Sequence, residues 1–261
     1  MSALAELFPD GDFRFHLALR REAPVDFFRT RDLSGHILAQ RIRWMAENPS
    51  RYAALQPEGE PLLAEVAELG EKEWGLPRAR SVHALGAVLE PDFLLLSPDA
   101  SGAFRLQGGS LCFPTGWALE EKLGHTLDFI HGVVPGLNTA LASPIHQVLT
   151  KLKPGVAFLR DNWGIVATDE LNLHPARGLP PLTLPVALDR LWLRVEHQAL
   201  VALPRTGGVL FGIRIALHRL DHVALDFATR AGLGRALQTM PPEVAAYKRL
   251  DAVREAIVAL L

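Results

Sequence analysis

Apolar and polar positions alternate along this chain with periods that change from segment to segment. From Leu33 to Leu55, the residues Ile37, Leu38, Ile42, Met45 and Ala46 recur at helical spacing. A second helix is predicted from Glu60 to Leu69, ending at Gly70, and a third from Arg78 to Val88. The first 30 residues instead break short apolar runs with turn signals such as Pro9-Asp10-Gly11. Further on, Phe93 to Leu96 is an apolar run bounded by Pro91 and Ser97-Pro98, which predicts a strand. Asp99 to Gly102 reads as its turn and Phe104 to Phe113 as the returning strand. Pro114-Thr115-Gly116 predicts a new helix, with Thr115 as N-cap, that runs through Lys122 and breaks at Gly124. Leu137 to Lys153 predicts another, stopped by Pro154-Gly155.

Three longer strands follow: Val156–Thr168, Leu191–Leu203 and Gly208–Leu217, the last two joined by a turn at Pro204 to Gly207. Between the first and second, His174 to Pro185 holds four prolines, which withhold backbone donors and mark a loop. Arg219 to Leu261 predicts two helices parted at Pro241-Pro242. The order gives an α+β class with a mostly antiparallel sheet of about five strands. Without repeat or linker, residues 1–261 read as one domain, with an N-terminal helical region over 1–88, a sheet core over 89–218 and helices over 219–261.

Composition narrows the function. Apolar residues make up 49% of the 261 positions and charged residues 21%, the usage of a folded globular chain. A net charge of −2 argues against a nucleic-acid partner, which calls for a basic excess or stripe. No window offers about 20 uninterrupted apolar residues, so no membrane span is expected. The start lacks the basic and apolar regions of a signal peptide, and a cytoplasmic location is expected. A single cysteine, Cys112, excludes an internal disulfide and a four-thiolate iron–sulfur cluster.

Phosphate-binding Gly-rich loops, a dinucleotide fingerprint, His-Glu-x-x-His, Cys-x-x-Cys-His and Gly-x-Ser-x-Gly are all missing. Among ten histidines, His125 and His131 stand out by setting. His131 closes the run Leu127 to Ile130 and precedes Gly132. There an imidazole suits axial ligation of a flat macrocycle, or it caps the last carbonyls of a helix. Spacing alone favours the cap. At strand period, Trp192, Arg194, Glu196 and Gln198 share one face, opposite Leu193, Val195, His197 and Ala199. That row is either a solvated strand face or the polar lining of a pocket. Arg160, Asn162 and Trp163 form a second polar set, and Arg214 a third, where Gly212 leaves room for a close neighbour. Cys112, between Leu111 and Phe113, reads as a small buried hydrophobe before a thiolate ligand.

Taken together, these segments resemble one family. Leu111-Cys-Phe-Pro-Thr-Gly-Trp117, Glu121-Lys122-Leu-Gly124 and Ile130-His-Gly-Val-Val-Pro135 are similar to the haem-binding subunit of haem-dependent oxidative N-demethylases. So are Arg160-Asp-Asn-Trp163, Leu193 to Leu200, Leu203 to Gly207 and Val209 to Arg214. The likeness spans Phe13 to Leu217 and is weakest before Leu89. It departs at His197, where the family pattern has Arg, and the chain is short beside the catalytic subunits.

The resemblance implies a PAS-like sheet with helices over one face, binding haem b. The implied reaction oxidises a small N-methylated amine with O₂ to the demethylated amine and formaldehyde. Electrons would come from NAD(P)H through a separate reductase carrying flavin and an iron–sulfur cluster. On this reading His131 is the proximal ligand and His125 the second choice, with Lys122 reaching a propionate. Arg194, Glu196, Gln198 and Arg214 line the distal pocket or pair with propionates, the first three as catalytic candidates, and Arg160 and Asn162 assist. A PAS-like haem or small-molecule sensor without turnover is the second reading, and loss of haem a third. Homo- or hetero-oligomers are open.

Overall fold

The computed structural model describes residues 4–261. A three-residue strand β1 (Arg20–Glu22) and a short helix α1 (Pro24–Phe28) precede α2 (His36–Glu47). The helix expected to run on to Leu55 stops early, because Pro49 forces Asn48 into an extended conformation (φ −149°). Asn48 then caps α3 (Pro49–Tyr52) by accepting from the Arg51 amide, and Ala53–Leu55 forms strand β2. Helix α4 (Glu60–Glu73) continues past Gly70, whose bare Cα lets Leu76 fold back against it. Ser81 caps α5 (Val82–Val88), which begins four residues later than its apolar pattern suggested.

Strands β3 (Asp92–Pro98) and β4 (Phe104–Ser110) make the expected hairpin. No helix follows Thr115 directly. Residues 111–126 are turns and bends, and α6 (Leu127–His131) and α7 (Leu137–Thr150) come after them. The long strands β5 (Ala157–Val166), β6 (Trp192–Leu203) and β7 (Gly208–Arg219) lie where period two placed them. The C-terminal segment holds four helices instead of two: α8 (Leu220–Val223), α9 (Phe227–Thr239), α10 (Pro242–Tyr247) and α11 (Arg254–Leu260). Among the described residues, no helix is long and apolar enough to cross a membrane.

All seven strands join one antiparallel sheet in the order β1-β5-β6-β7-β3-β4-β2. The five central strands are those expected, and the edge strands β1 and β2 bring the count to seven. Helices cover both faces, not one. On the back, Phe93, Leu95, Ala199, Val201 and Leu210 pack with α1, α2, α4 and α5, while Leu193, Val195 and Ile165 pack with α8 to α11. On the front, Leu94, Leu96, Leu106 and Ile213 meet residues of α6 and α7. At Gly212 the back cover comes close, since a Cβ there would lie 2.7 Å from both Phe27 and Phe28.

One buried ion pair sets the geometry where β3 and β4 leave the sheet. Arg41 of α2 and Asp92 of β3 are both fully buried and bonded to each other. The Arg41 guanidinium also donates to the Gly86 carbonyl (2.8 Å) and Ser110 Oγ (2.8 Å). Asp92 accepts the Cys112 and Phe113 amides at 2.6 and 2.8 Å. The chain is thereby held as it turns into Pro114-Thr115. Arg41→Ala strands the Asp92 carboxylate in the core and is expected to cost about 3–5 kcal/mol of stability, read as a drop in the urea midpoint. A midpoint within error of the wild type would show that the pair is dispensable.

Candidate functional site

The register of β5, β6 and β7 puts a polar row on the front face. Arg160 pairs with Gln198, Asn162 with Glu196 and Gly164 with Arg194, while Gln198 pairs with Ile213 of β7. Arg194 is 1% exposed, so the row is a buried wall and not a solvated strand face. Its guanidinium donates to the carbonyls of Phe113 (2.8 Å), Leu171 (2.8 Å) and Glu170 (3.3 Å), and to Thr115 Oγ1 (2.9 Å). An arginine can only donate, so the Thr115 hydroxyl turns its proton to Glu196 Oε1, 2.5 Å away. Asn162 Nδ2 (3.2 Å) and Gln198 Nε2 (2.8 Å) donate to the other oxygen of Glu196. Glu196 thus accepts three neutral donors and, among the described residues, forms no ion pair. Thr115 does this work in place of capping a helix.

Two cavities meet at that carboxylate. The smaller, of about 270 Å³, lies between the front of the sheet and α6–α7. Leu94, Leu96, Leu106, Phe211 and Ile213 form its floor, and Ile130, His131, Val134 and Ile145 its roof. His131 makes no side-chain hydrogen bond among the described residues. Burial and the nearby Arg160 lower its pKa, only partly offset by Asp128, so the neutral imidazole prevails at pH 7. Helix α6 is capped instead by the Gly132 amide bonding to the Phe129 carbonyl. Arg160 lines the same cavity, and its buried Nε has no partner. Burial lowers its pKa too, against the pull of Glu196 and Asp161. Lys122 borders the space from the loop before α6.

The larger cavity, of about 630 Å³, lies on the other side of Glu196. Asn162, Gly164 and Val166 of β5 and the proline-rich loop over 173–182 enclose it. Trp117, Asn162, Glu196, Tyr247 and Lys248 line both cavities. Strand β1 pairs only with Ala157–Leu159, so the rest of that β5 edge has no strand neighbour in β1. There Lys248, just past α10, donates to the Trp163 carbonyl at 2.6 Å. Burial brings its pKa down to about 8, with Glu196 opposing the shift.

A family model described as haem-dependent oxidative N-demethylase, alpha subunit-like, matches residues 45–258. The chain belongs to that family. The matched region of this family member starts later than the likeness read from its motifs and extends past it, taking in α8 to α10 and Lys248.

The fold gathers His131, Lys122, Arg160, Asn162, Glu196 and Gln198 around the smaller cavity. Arg194 lines only the larger one, with its donors spent on the chain itself. Arg214 lies elsewhere: the register puts it on the back face beside His197, where it bonds Glu90 and the carbonyls of Phe27 and Arg29. His125 is exposed and stacked on Phe129, with ring centroids 4.0 Å apart. Cys112 sits in the back core, where burial pushes its thiol up to about 11, as suits a small hydrophobe. At the departure position, His197 Nδ1 lies 2.7 Å from Asp161, away from the cavities.

Sequence reasoning missed Trp117, Tyr247 and Lys248. No periodic signal marks Lys248, which follows a short helix and precedes Arg249 at positive φ (58°). A lysine whose proton is weakened on folding leaves the unfolded chain with more bound protons between pH about 8 and the ordinary value of 10.5. Its contribution to stability therefore rises with pH across that window. Lys248→Met is expected to flatten this rise in parallel urea titrations below and above it. Equal pH slopes in the two proteins would show that folding leaves the lysine unperturbed.

Proposed function

We propose that this chain is the haem-binding subunit of an oxygen-dependent oxidative N-demethylase acting on an N-methylated amine. The observation that carries this reading is one apolar cavity lined by both a neutral, unbonded His131 and Arg160, whose buried Nε has no partner. Among the described residues, no three His, Cys, Asp or Glu side chains converge as metal ligands. An iron that brings four nitrogens in its own macrocycle would need none of them, and His131 would be the residue to hold it. The leucines and isoleucines of the sheet and of α6–α7 suit the flat ring. The cations Arg160, Lys122 and Lys248 at the cavity wall suit its two propionates. The residues present therefore fit haem b.

When bound, haem supplies the dioxygen chemistry. The net reaction consumes the N-methyl amine, O₂, two electrons and two protons, and yields the demethylated amine, formaldehyde and water. Glu196, held by Thr115, Asn162 and Gln198, offers acceptor oxygens to an amine N–H and negative charge to its protonated form. Arg194 acts through Thr115, keeping that hydroxyl turned to Glu196. Electrons are delivered by a separate NAD(P)H reductase carrying flavin and an iron–sulfur cluster, which a chain with one cysteine cannot hold for itself.

Protein reconstituted with haemin is expected to show a Soret band that His131→Ala abolishes or shifts. An unchanged band in that variant would place the axial ligand elsewhere. Arg160→Leu is expected to cost about 2–5 kcal/mol of haem affinity, because a propionate loses its buried partner. With dimethylamine, O₂ and a reductase, the haem-loaded protein is expected to release formaldehyde. A spectral response to the amine with no formaldehyde would make it a sensor.

A further inference from the structure

The larger cavity has no task in the reading above. Haem needs the apolar walls and the imidazole of the smaller one, and dimethylamine is far smaller than 630 Å³. Ligand cavities of about 300–1,000 Å³ ordinarily enclose molecules of many heavy atoms. Three features bear on what this one takes. It reaches the haem-side cavity along Glu196, whose carboxylate has hydrogen-bond donors but no cationic partner in contact. Arg194, the most buried cation on its wall, is spent on backbone carbonyls and Thr115, so it offers nothing to an anion. Away from that polar end, Val166, Leu173, Leu179 and Leu182 contribute apolar lining.

Gly164 completes the picture. It pairs with Arg194, lines the larger cavity and not the smaller, and a Cβ built on it meets no heavy atom within 4 Å. Elsewhere in the sheet, glycines make room for protein: Gly109 lies against the Phe93 backbone and Gly212 against Phe27 and Phe28. At Gly164 the cavity side of the strand is open space.

We propose that the larger cavity is a substrate chamber for the body of the amine: an N-methyl ammonium head rests on Glu196, and its alkyl substituent extends along Gly164 toward the proline-rich loop. This inference rests on the demethylase reading and narrows its substrate class to N-methylamines carrying an extended, partly apolar substituent. Lys248 is the resident cation at the same junction, and burial has already weakened its hold on its proton. Its Nζ donates to the Trp163 carbonyl at 2.6 Å and makes no ion pair with Glu196, so no cation among the described residues occupies the carboxylate oxygens.

The test is calorimetry on the haem-loaded protein with dimethylamine and with N,N-dimethyl-n-alkylamines from ethyl to hexyl. Wild-type affinity is expected to rise with chain length by up to about fourfold per methylene, the equivalent of ~0.8 kcal/mol. Gly164→Phe, at a position where a Cβ meets no heavy atom within 4 Å, is expected to abolish the rise while the Soret band of the haem-loaded protein is kept, since Gly164 does not line the smaller cavity. Gly164→Val, whose side chain suits a strand, is expected to fall between. Glu196→Gln is expected to weaken every member of the series alike. A wild-type affinity that does not rise with chain length, or a rise that survives Gly164→Phe, overturns the chamber. A missing Soret band before any amine is added overturns the demethylase reading instead, so the two failures are distinguishable.

Discussion

The Arg194 guanidinium holds the site together. Taking it out of water costs several kcal/mol, and burial drags its pKa down to about 10. The cost is offset only because carbonyls from two separate loops, at Phe113 and at Glu170 and Leu171, converge on one strand residue. Those carbonyls belong to irregular backbone, which would otherwise be buried without partners. The guanidinium therefore stitches both loops to β6, and Thr115 and Glu196 inherit their orientations from it. The Arg41–Asp92 pair does the same from behind, fixing the amides of Cys112 and Phe113 one step earlier in the chain.

The sheet divides chemistry from structure by its alternation. Neighbouring residues of β6 point to opposite faces, so Arg194, Glu196 and Gln198 meet the cavities while Leu193, Val195 and Ala199 enter the core. The same rule puts Asp161, His197 and Arg214 behind the sheet, where each has a partner close to hand. Polar residues on the two faces thus differ in kind. Those behind are closed ion pairs that pin β1, β5 and α1, and those in front include an arginine with an unanswered Nε. A buried N–H without a partner is costly in a folded chain; Arg160 has one at its Nε, whereas every guanidinium nitrogen of Arg214 is bonded.

Much of this was legible in the chain itself. The α+β class, the hairpin and the three long strands follow from apolar periods that burial on one or both faces imposes. The polar row on β6 and the histidine closing an apolar run could be named from spacing, and the family from the motifs between Leu111 and Arg214. Helix ends were less legible, because a local signal such as Gly70 or Thr115 yields when tertiary contacts supply a better partner. Gly70 continues its helix because Leu76 packs on it, and Thr115 leaves helix geometry to bridge Arg194 and Glu196.

Only the tertiary structure decided which candidates share a space. His125 and His131 lie six residues apart, yet one is stacked in the open in the loop before α6 and the other, closing α6, lines a cavity. Arg214 and Gln198 sit on adjacent strands but on opposite faces, a difference of one residue in register. Lys248, far along the chain and without any motif, reaches the Glu196 junction because the β5 edge left a carbonyl to be satisfied. Periodicity reports which face a residue takes within its own element. Convergence between elements depends on register, loop anchoring and edge closure, and these arise from contacts between residues far apart in the chain.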